Sequence, residues 1–75
     1  MNKMERKMLL LFGEGGRHTT LRFLVEYMGL TLDPERKDMI IRVINLVSSF
    51  RSDADFMGFM RDLRKEDDAD APDKV

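Results

Sequence analysis

The segment opening at Asp33-Pro34-Glu35 constrains this chain more than any other. Asp33 suits an N-cap, where its carboxylate accepts from the free N–H groups of a first helical turn. Pro34 suits the first helical position, because its ring presets φ and its missing N–H is not needed there. Glu35 falls at the positive end of the helix dipole. From there Ile40, Val43, Ile44 and Val47 recur at helical spacing, Met39, Leu46 and Phe50 lie beside them, and Ile41 widens the arc. Arg42, Asn45 and Ser49 hold a narrow polar strip. The β-branched residues raise strand propensity, but the capping signal and the length decide for a helix to about Phe50. An apolar arc this wide exceeds that of a one-sided surface helix. Other apolar helix faces must cover it, and this helix is expected at the centre of the fold.

The remaining sequence supplies those faces. Met4, Met8, Leu11 and Phe12 fall at i, i+4, i+7 and i+8, with Leu9 and Leu10 widening the stripe, so a helix is expected over about Lys3–Phe12. Gly13-Glu14-Gly15-Gly16 ends it. A second helix is expected over about Thr20–Met28, capped by Thr19 or Thr20, with Leu21, Leu24, Val25 and Met28 as one stripe and Phe23 and Tyr27 as another. Gly29 is expected to stop it, with Leu30 in the hydrophobic contact that follows such a cap. A last helix follows the cap Ser52-Asp53. It carries Phe56, Phe59, Met60 and Leu63 at i, i+3, i+4 and i+7, has Met57 at its flank, and frays near Lys65. Gly58 costs that helix about 1 kcal/mol against alanine, and is expected to mark a close helix–helix approach. The reading is all-α: a compact bundle of three to four short helices over residues 1–65, with a disordered acidic tail over 66–75.

Seventy-five residues make one domain near the lower size limit for folding alone. Such domains lean on disulfides, a metal, a partner chain or very good helix packing. The chain has no cysteine and one histidine, His18, so disulfides, thiolate ligation and a histidine zinc cage drop out. No metal or cofactor is expected. The longest apolar run, Met8–Phe12, is far short of a membrane span of about 20 residues. Glu5 interrupts the basic stretch before it, unlike a signal peptide. A cytoplasmic protein is expected, without membrane association. Net charge is uneven: −4 over residues 66–75 and +3 over residues 1–65.

The chemistry-bearing motifs are thin. The Gly13–Gly16 loop before Thr19-Thr20 has the outline of a phosphate loop, but Arg17-His18 stands where Walker A needs lysine, and no parallel sheet fits. Arg17-His18 at a helix start could attract an anion. His18 has no serine or cysteine near it in sequence, and Asp53, Asp55 and Asp62 are explained by capping and solvation. The chain is not expected to be an enzyme. Thr20–Met28, Gly29-Leu30-Thr31 and the following helix outline a helix-turn-helix, so a DNA-binding transcriptional regulator is the alternative. Against it, Glu35 and Asp38 head the helix that would read DNA, and the body of that helix is apolar.

The leading expectation is a non-enzymatic regulatory or adaptor protein that binds another protein, or a second copy of itself as a homodimer. Seven methionines, the arc of the Asp33–Phe50 helix and four further aromatics exceed what one small core easily encloses. The expected contacts are Phe23, Tyr27, Met39, Phe56 and Phe59, with Arg36, Lys37 and Arg42 as rim charges. In size and composition the chain resembles the small helical accessory proteins of phages and bacteria that act by docking on larger proteins.

Overall fold

The computed structural model describes residues 1–70, with side chains through Asp67. The order is α1 (Lys3–Phe12), a single 3-10 turn (Gly13–Gly15), α2 (Arg17–Leu30), α3 (Pro34–Ser48) and α4 (Asp53–Asp70). The all-α bundle is thus the architecture. None of these helices is long and apolar enough to cross a membrane.

Each helix start has an identifiable cause. Asn2 and Glu5 form a capping box on α1: Glu5 N–H donates to Asn2 Oδ1 at 2.8 Å, and Asn2 N–H donates to Glu5 Oε1 at 2.9 Å. Asp33 caps α3, its Oδ1 accepting from Glu35 N–H at 3.2 Å, with Pro34 at the first position. Ser52 caps α4, its Oγ accepting from Asp55 N–H at 3.1 Å.

Helix α2 departs from expectation at both ends. It starts at Arg17, so neither Thr19 nor Thr20 is its cap. Gly16 precedes it at φ 95°, the only positive φ among the described residues. The capping carboxylate comes from α4 instead: Arg17 N–H donates to Asp53 Oδ1 at 2.7 Å. Thr20 lies fully buried one turn in, its hydroxyl 2.6 Å from the Gly16 carbonyl and 3.1 Å from that of Phe12. At the far end Gly29 keeps a negative φ and so provides no left-handed cap. The helix runs on through Leu30, and buried Thr31 closes it by donating to the Tyr27 carbonyl at 2.9 Å.

The core draws Met8 and Leu9 from α1, Leu24 from α2, Met39, Ile40, Val43 and Val47 from α3, and Phe56, Met60 and Leu63 from α4. Helix α3 thus contributes the broadest buried face. Its most extensive packing is along α2, and it also lies against α1. One side of α3 stays in solvent, with Lys37, Asp38, Ile41, Arg42 and Asn45 exposed. The close approach in the bundle is also elsewhere than expected. A Cβ on Gly58 would meet nothing within 4 Å, whereas one on Gly13 would lie 2.6 Å from Met60 Cε. Helix α4 continues to Asp70, past the expected fraying at Lys65. The i, i+3 spacing of Arg64 and Asp67 and the helix-forming Ala69 favour that extension. Residues 71–75 of the expected tail lie outside the described residues.

The molecule measures 37 × 29 × 17 Å. A thickness of 17 Å holds two layers of helices of about 10 Å diameter. In two layers each helix buries one face, so a helix with two apolar faces must leave one at the surface.

Candidate protein-binding groove

Helix α1 is that helix. Its buried side is centred on Glu5, Met8 and Leu9, while Met4 and Leu11 are 52% and 76% exposed. The stripe Met4–Met8–Leu11–Phe12 therefore does not simply face the core. Its outer members form one wall of an open groove of about 210 Å³, lined by Met4, Lys7, Met8, Leu11, Phe12, Tyr27, Arg36 and Met39.

Aromatic packing joins the walls. Phe12 lies with its ring centroid 5.8 Å from Tyr27 and 6.1 Å from Phe23, in tilted arrangements. Phe23 is 47% exposed and continues the apolar surface beyond the groove along α2. At the α3 end, Arg36 Nη1 donates to the Tyr27 hydroxyl oxygen at 3.2 Å, which holds the guanidinium beside the apolar floor. The groove's only ionised lining groups are the cations Lys7 and Arg36.

The residues expected from sequence divide on burial. Tyr27, Met39 and Arg36 come together in the groove, although Met39 is only 8% exposed and acts as its floor. Phe23 adjoins them through Phe12. Phe56 is fully buried, which places it in the core and off any surface. Phe59 is half-buried against Phe50, centroids 5.0 Å apart, and Phe50 in turn meets Phe56 edge-on at 5.7 Å. These three rings form an internal cluster between α4 and the α3–α4 connection. Lys37 is exposed on α3 but does not line the groove. Arg42 is on the other side of α1, where its Nε donates to Glu5 Oε2 at 2.8 Å. That pair holds the Glu5 carboxyl below the usual carboxylate range, first through the Arg42 hydrogen bond and then through the Asn2 backbone.

Sequence reasoning missed Met4, Lys7, Leu11 and Phe12 as surface elements. The available signal was the breadth of α1: Leu9 and Leu10 beside the Met4–Leu11 stripe leave too little polar surface for a helix in a thin molecule. The methionines prove mostly structural, with Met8, Met39 and Met60 buried and Met28 and Met57 half-buried.

Two other depressions are less suited to a partner. One lies between α1 and α3, lined by Met1, Glu5, Arg42, Val43 and Leu46, and its charges already neutralise each other. The other is a shallow face of α2 with His18, Leu21, Arg22, Val25 and Glu26. The anion site considered at Arg17-His18 is preempted: Arg17 N–H is bound by Asp53, and Arg17 Nη2 donates to the Ser48 carbonyl at 3.1 Å. No protein-family model matches the chain, and no curated protein or solved structure matches it.

Proposed function

We propose that this chain is a non-catalytic regulatory or adaptor protein of the cytoplasm that docks on another protein through the apolar groove between α1 and the facing parts of α2 and α3. The observation that carries the reading is the exposure of Leu11 and Met4 beside Phe23, Phe12 and Tyr27. Scattered exposed apolar residues are ordinary, but a contiguous strip with an aromatic floor and a cationic rim has the composition of an interface centre. The test is a pull-down from lysate of the native host with the full chain and its Leu11→Asp variant. A protein retained by the wild type and lost by the variant is expected; identical capture by both sinks the reading.

Self-association is a second reading, carried by a different observation. The last residue of α2, Leu30, and Leu32 in the α2–α3 connection are 82% and 91% exposed. A two-fold contact at that corner would cover both. Light scattering over a dilution series tests it, and a monomer at micromolar concentration rules it out. DNA binding draws less support: Asp38 and Ile41 occupy the outward side of α3, and Arg42 there is engaged by Glu5.

A further inference from the structure

Resting on that reading, we infer that the occupant of the groove is an amphipathic helix whose apolar ridge is flanked by carboxylates. Shape points first to a helix. The groove has α1 as one wall and Tyr27 of α2 with Arg36 and Met39 of α3 as the other, and a furrow between packed helices receives the side-chain ridge of a further one. From Met4 to Leu11 it is about 10 Å long, two helical turns, so it takes anchors at i, i+3 or i+4, and i+7.

Charge then selects the flanks. Lys7 and Arg36 are the ionised lining groups, and no carboxylate lines the groove. Lys3 lies one turn before Lys7 on α1 and extends the positive edge. Arg36 is held in place by Tyr27, so a partner carboxylate meets a positioned guanidinium rather than a free one. The same charges disfavour a second copy here. A two-fold contact sets the same patch on both protomers face to face. Groove on groove would bring Lys7 and Arg36 against their own counterparts without a carboxylate between them.

The experiment is a displayed library of helical peptides about two to four turns long. Leucine is fixed at the anchor positions and the flanks are drawn from Glu, Gln and Lys. The library is panned on the full chain, and selected peptides are measured by fluorescence anisotropy. Glu-flanked peptides are expected to be enriched, to bind roughly tenfold more weakly to Leu11→Asp, and to lose affinity as salt is raised. A Lys7→Glu/Arg36→Glu double variant, checked for helicity by circular dichroism, is expected to prefer the Lys-flanked peptides. Leu11-dependent binding without an acidic preference overturns the inference and leaves the protein-binding groove standing. No Leu11-dependent peptide from any flank class overturns both. A roughly tenfold gain in affinity for uncharged, Gln-flanked peptides when Asp67, Asp68, Asp70 and Asp73 are together made Asn identifies the chain's own acidic end as occupant, and overturns the inference. Self-association abolished by Leu11→Asp does the same in favour of a second copy.

Discussion

Asp53 caps a helix to which it does not belong. It is the first residue of α4, yet its Oδ1 accepts from the backbone N–H of Arg17 at the start of α2, 36 positions earlier. Ser52 supplies α4's own cap, which frees Asp53 for this role. The carboxylate also sits at the positive end of the α2 dipole. A second tie, from Arg17 Nη2 to the Ser48 carbonyl, fixes the same helix start to the end of α3. Three helix termini therefore meet at Arg17, and this junction organises a bundle with no covalent staple.

Asp53→Ala is expected to destabilise the fold by about 1–2 kcal/mol, the usual cost of a lost cap with a dipole contribution. Urea denaturation measures the loss. Amide exchange separates the two helices: the first turn of α2 should lose protection while that of α4, still capped by Ser52, keeps it. Equal loss in both contradicts the assignment.

The glycines give a sharper comparison because they divide by environment. Gly16 has φ 95°, and a Cβ there would lie 2.9 Å from Asp53 Oδ1. Gly16→Ala therefore meets both a backbone penalty of about 1 kcal/mol or more and a clash with the capping carboxylate. Gly29 and Gly58 are helical with open space where a Cβ would go. Alanine at either is expected to stabilise by about 0.5–1 kcal/mol. Thermal melts of the three variants should show one fall and two rises.

Gly58 also shows what a sequence can and cannot disclose. Its position inside the last helix was legible from the Phe56–Leu63 periodicity, but whether a neighbour approached it was not. The starts of α3 and α4 were legible because Asp33-Pro34-Glu35 and Ser52 act within one turn. The start of α2 was not, because its cap is a distant aspartate brought in by folding. The apolar excess was legible as a quantity, while its location was not. It is expected on α3, where the core absorbs most of it, and it is found instead on α1 at Met4 and Leu11 and on α2 and its end at Phe23, Val25, Leu30 and Leu32.

Acid should weaken the fold through Glu5. Its folded pKa lies below its unfolded one, mainly because Arg42 hydrogen-bonds the carboxylate and secondarily because of the Asn2 backbone N–H. A depressed carboxylate stabilises fully above its unfolded pKa, and that contribution is lost as pH falls through the folded value. Stability of the wild type should therefore fall below about pH 4–5. Glu5→Gln should be less stable at neutral pH by about 1–2 kcal/mol, and the gap to wild type should narrow as pH falls. A gap that is constant from pH 7 to pH 3 excludes the carboxylate as its source.

Leu11 and Phe56 test whether surplus and core are correctly separated. Phe56 is fully buried between the half-buried Phe50 ring and the core, so Phe56→Ala should cost about 3–5 kcal/mol. Leu11 is 76% exposed and has little burial to lose. Leu11→Asp should cost no more than about 1–1.5 kcal/mol, from the lower helix propensity of aspartate and its place at the negative end of α1, and the new carboxylate lies on the groove wall that also carries Lys7. A side chain whose replacement costs only that backbone and dipole effect is not kept apolar by the needs of the fold. If Leu11→Asp instead destabilises as a core substitution does, α1 packs more tightly than its exposure indicates, and the groove loses its outer wall as a free surface. If stability holds and partner capture fails, the apolar side chain at position 11 serves binding, with the Glu5–Met8–Leu9 face of the same helix serving the fold.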